Sequence, residues 1–195
     1  MTPRTETSPN PAPTVARITP ADIKEMSTEK QRTSMKGWDA LHFNQVMMRS
    51  PGLFKTFLPL LSRLVAESEL PAHDRQVLVL RTCELTGEVY EATHHVLISR
   101  ASGLSGEQIE AAQTGIGLSP VHTLLAAAAQ ELVTDFSVSD TTWNGLAEHY
   151  SDIELMDIVA LVAVYTFMAT LTRGLGIQLE DDETIESFVA LREYT

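Results

Sequence analysis

Apolar side chains recur along most of the chain at intervals of three and four residues, which is the spacing of an amphipathic helix. Within 120–136, for example, they fall at Leu124, Leu125, Ala128 and Leu132. Strands would instead alternate apolar and polar residues between hairpin turns, and the sequence has no such pattern. The chain is therefore predicted to be all-α.

Capping residues and glycines divide this pattern into separate helices. Ser105 with Gln108, and Ser151 with Glu154, have the spacing of a capping box, which satisfies free backbone amides at a helix start. Glycine accepts the left-handed turn that ends many helices, and the predicted stops are Gly87, Gly103, Gly115 and Gly174. The predicted helices lie near 19–33, 38–49, 51–67, 73–86, 88–102, 105–114, 120–136, 139–149, 151–173 and 182–192.

The length of 195 residues favours one domain, because chains begin to divide only at roughly 250–300 residues. Residues 1–18 contain four prolines and little apolar periodicity, so they are predicted to be a flexible N-terminal lead. Residues 19–195 are predicted to form a single helical domain. Within it, the segment LMDIVALVAVYTFMATL is apolar nearly all round, which is typical of a central helix.

Charge and cysteine content narrow the class of protein. The formal net charge is -12, which disfavours binding to nucleic acid or to an anionic membrane surface. Cys83 is the single cysteine, so neither an intramolecular disulfide nor a CxxC pair can form. The apolar run from Leu155 to Leu171 is shorter than the roughly 20 residues of a membrane-spanning helix. With no basic-then-apolar leader at the N-terminus, a cytoplasmic protein without membrane association is predicted.

The stretch TGEVYEATHH, residues 86–95, carries the densest candidate chemistry. On a helix over 88–102, Glu88, Glu91 and His95 would share one face, since their spacing is i, i+3 and i+7. Tyr90 and His94 form a second pair at i, i+4. A buried cluster of carboxylates and an imidazole can transfer protons near neutral pH. The alternative is a solvated face at a helix start, where carboxylates are favoured in any case.

A metal site is a weaker interpretation of the same stretch. Glu91-Ala92-Thr93-His94 is an E-x-x-H, the unit that di-iron helical bundles use twice. A second E-x-x-H is missing, and Asp39-Ala40-Leu41-His42 is only a distant candidate. A metalloenzyme using Glu88, Glu91 and either His94 or His95 therefore stays a minor alternative, and no metal is predicted.

Residues 70–109, LPAHDRQVLVLRTCELTGEVYEATHHVLISRASGLSGEQI, resemble the carboxymuconolactone decarboxylase superfamily, which includes the alkylhydroperoxidase D-like proteins. The resemblance extends over most of 40–180. It implies an all-α helical bundle assembled into homo-oligomers, trimers or hexamers. It also implies a site: redox members carry a glutamate, a CxxC and then a histidine, and these positions fall here on Gln76, on Glu88 and Glu91, and on His95.

Both redox cysteines are thus replaced by carboxylates, which cannot form a disulfide, so peroxidase activity is not expected. The resemblance then implies a cofactor-free lyase, decarboxylase or isomerase that acts by acid–base chemistry on a small lactone, keto or aromatic-degradation compound. The predicted catalytic residues are His95, Glu91, Glu88 and Tyr90, and the predicted substrate-binding residues are Gln76, His94, His42 and Tyr165. The alternative is a non-enzymatic small-molecule binder, or a pseudoenzyme that has lost its redox cysteines.

Overall fold

The computed structural model describes residues 11–22 and 38–190, and in these ranges it contains helices and no strands. The fold is all-α, as predicted. A 3₁₀ turn at Trp38–Ala40 precedes the first α-helix. The nine described helices are α1 (His42–Met47), α2 (Pro51–Ala66), α3 (Ala72–Thr86), α4 (Val89–Ala101), α5 (Gly106–Thr114), α6 (Pro120–Asp135), α7 (Asp140–Ala147), α8 (Asp152–Leu175) and α9 (Asp182–Ala190).

The helix ends follow the sequence signals closely, with three exceptions. Both predicted capping boxes form, at the starts of α5 and α8. The predicted helix over 19–33 has no helical residue in 19–22, and 23–33 lies outside the described residues. The predicted helix over 38–49 divides into the 3₁₀ turn and α1. The predicted stop at Gly174 is wrong.

The helix α8 runs past Gly174 and ends at Gly176, which has the left-handed φ of 66°. A Cβ atom at position 176 would lie 2.7 Å from the carbonyl oxygen of Val15. Glycine is therefore needed at position 176 both for the turn and for the close approach of the N-terminal segment.

The central helix is α3, against which α4, α5, α6 and α8 all pack. Val77, Leu78 and Leu80 are almost completely buried there. The apolar helix α8 is long and apolar enough to cross a membrane by length and composition alone, but 56% of its most apolar window is buried inside the protein. It packs on α3 and leaves Met156 exposed on its other side. The apolar sequence of α8 thus belongs to a core helix with one open face.

Residues 11–22 form an extended segment, the N-terminal strap, that crosses the ends of α1 and α8. The Arg17 amide donates to the Leu175 carbonyl at 2.8 Å, and the Ala21 amide donates to the Gln45 carbonyl at 3.0 Å. The Arg49 guanidinium donates to two strap carbonyls. Of the predicted flexible lead, residues 11–18 are described, and hydrogen bonds hold them to the helical body.

The segment that follows α8 is held to the helical body by Glu180, whose side chain is 2% exposed. Its Oε1 accepts a hydrogen bond from the Tyr90 hydroxyl at 2.5 Å and another from the His42 amide. Its Oε2 lies 3.1 Å from Nε2 of His94, the distance of an ion pair. We call Glu180, Tyr90 and His94 the Glu180 clamp. It ties α4 to α1 and to the chain that leads into α9.

Electrostatics favour the charged forms of both ends of this clamp. Burial works against a charged His94, but the Glu180 carboxylate and the Tyr90 carbonyl oxygen outweigh burial and raise the pKa of His94 above its ordinary value. Burial also opposes a charged Glu180, but hydrogen bonds from His94, Tyr90 and the His42 amide lower the pKa of Glu180. The pKa directions of His94 and Glu180 therefore both favour an imidazolium beside a carboxylate.

Replacing Glu180 with Gln is expected to lower the free energy of unfolding by about 2–3 kcal/mol near pH 6, because it leaves the buried His94 imidazolium without its counter-charge. The His94 contribution is complete below about pH 6.5 and is lost as pH rises through the raised pKa. The Glu180 contribution is complete above about pH 4.3 and is lost as pH falls through the lowered pKa. Urea unfolding at pH 4 to 9 measures the difference, which should be greatest between these limits.

The matched control is Glu186→Gln, the same change of charge at an exposed position on α9. It should change the free energy of unfolding by less than about 0.5 kcal/mol. Equal effects of the two variants, or a Glu180→Gln effect that does not vary with pH, would contradict the clamp.

Candidate functional site

The N-terminus of α4 fixes the positions of all the acidic and imidazole groups in TGEVYEATHH. Gly87 ends α3 in the left-handed conformation, and the chain turns directly into α4. Glu88 is the N-cap of α4, with an extended backbone, and its carboxylate accepts the amide protons of Tyr90 at 3.0 Å and of Glu91 at 2.6 Å. These two hydrogen bonds hold the Glu88 carboxylate against the first turn of α4.

The geometry places Glu88 in a capping position, and its catalytic use stays a prediction. As the N-cap, Glu88 lies outside the helical repeat, so it does not share the face of Glu91 and His95. Burial raises the pKa of Glu88, while the Thr172 hydroxyl and the α4 amides act in the opposite direction. The role of Glu88 in the structure is to cap α4.

A second cluster forms around His95, where α3, α4 and α8 meet. Nδ1 of His95 lies 2.8 Å from Oε1 of Gln76, and Nε2 lies 2.8 Å from the Tyr165 hydroxyl. The Glu91 carboxylate is 3.9 Å from the same Nε2. Ser99 donates to Oε1 of Gln76 at 3.1 Å. We call these five residues the His95 cluster.

The His95 cluster is nearly enclosed but not sealed. The side chains of His95 and Glu91 keep 9% and 10% of their surface exposed. The Tyr165 ring stands edge-on to the imidazole, with the ring centroids 5.1 Å apart. An imidazole, a phenol and a carboxylate thus converge on one point with little water around them. Such a set can accept a proton from a bound molecule and return it, because the three groups differ widely in acid strength.

Two predicted site residues, Tyr90 and His94, lie in the Glu180 clamp, and a third, His42, lies beside it. Tyr90 and His94 are neighbours of Glu91 and His95 in sequence, but the helical step of about 100° turns them toward Glu180. Burial, followed by the charges of Glu180 and Glu91, raises the pKa of Tyr90 well above its usual range, so it remains a phenol. His42 is one-third exposed, and its Nδ1 lies 2.9 Å from the Gln178 carbonyl.

Gln76 lies in the His95 cluster, and its part in substrate binding stays a prediction. Its amide oxygen lies 2.8 Å from Nδ1 of His95 and accepts a hydrogen bond from Ser99. Tyr165 is the residue that faces His95 from α8.

Sequence reasoning missed Glu180 and Ser99. Ser99 lies four residues after His95 on the same helix face, and that spacing could have identified it. Glu180 stands in an acidic stretch after a glycine, a context typical of exposed loops. Its burial follows from the tertiary packing of α9 on α4, which no local pattern shows.

The donor set required by the metalloenzyme alternative does not assemble. Across residues 11–22 and 38–190, no group of three or more His, Cys, Asp or Glu side chains is placed to hold a metal ion. Glu88 is engaged as a cap, and His94 and His95 face different partners.

The single cysteine lies close to the cluster but is not reactive. Cys83 is 2% exposed in the core. Burial, followed by the carboxylates of Glu88, Glu91 and Glu84, raises the pKa of the Cys83 thiol well above its usual range. The nucleophilic thiolate is therefore strongly disfavoured.

Part of the chain is similar to a known protein family. Residues 51–119 match the model of the carboxymuconolactone decarboxylase family. No curated protein sequence matches the chain. The region matched includes Gln76, Glu91, His95 and Ser99, whereas Tyr165 and Glu180 lie beyond it.

Solved structures share the whole fold at low sequence identity. A peroxidase-related protein from Ralstonia eutropha JMP134, with an alkylhydroperoxidase AhpD core, has a TM-score of 0.74 at 17% identity, over 87% of this chain and 94% of its own. The debrominase Bmp8 has a TM-score of 0.73 at 16% identity, over 88% and 97% of the two chains. A cysteine-to-alanine variant of Bmp8 in complex with 2,3,4-tribromopyrrole has a TM-score of 0.67 at 16% identity, over 90% and 97%.

At these identities the solved structures establish the fold alone. The chain has the helical fold of AhpD-like proteins without a CxxC, and its residues 51–119 are similar to the carboxymuconolactone decarboxylase family.

Proposed function

We propose that the protein is a cofactor-free enzyme of the lyase, decarboxylase or isomerase type that acts by acid–base chemistry on a small organic molecule. The observation that carries the proposal is the convergence of Tyr165 and Glu91 on Nε2 of His95, at 2.8 and 3.9 Å. Structural networks also gather charges. A purely structural role, however, does not require three different acid–base groups at one partly accessible point.

Two reaction types fit this set of groups. In an isomerisation, Nε2 of His95 takes a proton from a carbon beside a carbonyl group and the cluster returns a proton to another carbon. In a decarboxylation, the bond to the carboxylate carbon breaks, its electron pair passes into a conjugated carbonyl, and CO2 leaves. A protonated cluster residue then gives a proton to the carbon. In both, the Tyr165 hydroxyl, 2.8 Å from Nε2 of His95, is placed to pass a proton between His95 and the substrate.

The surroundings favour a neutral or weakly acidic substrate. Arg75, next to Gln76 on α3, donates to the Leu70 carbonyl. Burial lowers the pKa of Arg75, and the nearby Tyr165, Asp157 and Asp74 act against that shift. Two carboxylates thus already balance this guanidinium. The Bmp8 complex with tribromopyrrole is consistent with a small planar ligand in the same fold.

Replacing His95 with Gln is expected to reduce kcat/KM by about 10²–10⁴-fold, the range for loss of a general acid–base group. The measurement is turnover of a panel of lactone acids, keto acids and enolisable ketones by the parent and the variant. His149→Gln, at an exposed position on the short segment after α7, is the matched control and should retain parental turnover.

Unchanged turnover in His95→Gln would contradict the proposed chemistry. Tight binding of a panel compound by the parent, with no product after hours, would support the non-enzymatic binder instead.

Replacing Tyr165 with Phe should lower kcat by about 10²-fold, since the ring is kept and only the hydroxyl on Nε2 of His95 is lost. Stability should fall by about 1 kcal/mol. Tyr150→Phe removes a similarly buried hydroxyl that donates to Asp74 at 2.8 Å. Tyr150→Phe should lower the free energy of unfolding by a similar amount and leave kcat unchanged. Equal kcat losses in the two variants would assign both effects to folding.

Replacing Cys83 with Ala should leave turnover of the panel substrates unchanged and lower stability by about 1 kcal/mol, through the loss of one buried atom. Consumption of hydrogen peroxide with dithiothreitol should equal the buffer rate in both parent and variant, because the buried thiol is protonated. Peroxide turnover that disappears in Cys83→Ala would overturn the non-redox proposal.

A further inference from the structure

Nδ1 of His95 faces an atom that can only accept a hydrogen bond. That atom is the amide oxygen of Gln76, 2.8 Å away. The ring nitrogen must therefore carry the proton. A neutral imidazole has one N–H, so the lone pair is then on Nε2, which lies 2.8 Å from the Tyr165 hydroxyl. One side-chain amide thus selects which nitrogen of His95 is the base.

The orientation of that amide is supported from α4 itself. The Ser99 hydroxyl, which is completely buried, donates to the same oxygen at 3.1 Å. His95 and Ser99 are one helical turn apart, so both donors approach Gln76 from one face of α4. An amide turned the other way would present its NH2 group to His95 and would lose the hydrogen bond from Ser99.

Helix α4 provides an internal comparison for the charge of the partner. His94 faces the Glu180 carboxylate, and its pKa is raised. His95 faces a neutral amide at Nδ1. A carboxylate at Nδ1 would favour the doubly protonated ring, in which Nε2 has no lone pair. A neutral amide at Nδ1 does not favour that form. The titratable groups that do face His95 are Glu91 on α4 and Tyr165 on α8, and Arg75 on α3 acts on Tyr165.

We propose that Gln76, oriented by Ser99, is a positioning residue that holds His95 as the neutral Nδ1–H tautomer and directs the Nε2 lone pair to Tyr165. Its importance for turnover rests on the proposed function, but the tautomer does not. Gln76 itself does not touch the reacting atoms. It acts by fixing which nitrogen of His95 exchanges protons.

The test is ¹⁵N NMR of histidine-labelled protein, with the His95 signals assigned by their loss in His95→Gln. The parent should show His95 as a single Nδ1–H tautomer at neutral pH. In Gln76→Leu, which removes the acceptor, that preference should be lost to a mixture of both tautomers. In Gln76→Glu, which restores an acceptor oxygen, the Nδ1–H tautomer should return, and the pH at which His95 takes up its second proton should rise by about one unit or more.

Activity is the second measurement. In Gln76→Glu, the acid limb of the pH profile of kcat/KM should move to higher pH by the same amount as the His95 titration. The kcat should recover at high pH. In Gln76→Leu kcat should fall by about tenfold or more at every pH, since the base is wrongly protonated in much of the population. Gln113→Leu, the same substitution at a half-buried position on α5, is the control and should change neither the spectrum nor the profile.

The outcomes separate this inference from the proposed function. An Nε2–H tautomer in the parent, or an unchanged tautomer in Gln76→Leu, overturns the positioning role whatever the activity. If the tautomers are as expected but the parent turns over no panel compound, the positioning role is supported and the proposed enzymatic function is contradicted.

Discussion

Two imidazoles follow one another on helix α4, and both are buried. A buried imidazole requires a hydrogen-bonding partner for each of its nitrogens, because unpaired polar groups are costly away from water. Since His94 and His95 point about 100° apart, their partners come from different parts of the chain. The amide of Gln76 and the phenol of Tyr165 serve one ring, and Glu180 serves the other. These contacts link α3, α8 and the segment leading into α9 to α4.

The two sets of partners give the two histidines different chemistry. Next to a carboxylate, His94 is stabilised as a cation and fastens the C-terminal part of the chain. His95 has a neutral amide on one side and a phenol on the other, with Glu91 at the edge of the group. The two neighbouring histidines therefore have different surroundings, because the helix turns their side chains about 100° apart.

Much of the fold could be predicted from the sequence because its signals are local. Capping boxes at Ser105 and Ser151 and apolar periodicity identified the helices to within a few residues. The candidate site was harder to predict. Glu91 and His95 share a helix face, which spacing alone showed. The partners Tyr165 and Glu180 are 70 and 86 residues further along the chain than His95 and His94, at 2.8 and 3.1 Å in space. Glu88 was placed on the face of Glu91 and His95 but is the N-cap of α4, because the boundary of a helix is the least certain feature of a sequence pattern.

The N-terminal strap has a consequence for where this protein can be divided. The strap crosses the end of α8 and binds α1, while the family match covers only 51–119. A polypeptide trimmed to the matched portion would lack the phenol and carboxylate that receive the α4 imidazoles, and would lose the crossing segment as well. The strap and the phenol and carboxylate partners of the α4 imidazoles thus all lie outside the matched region.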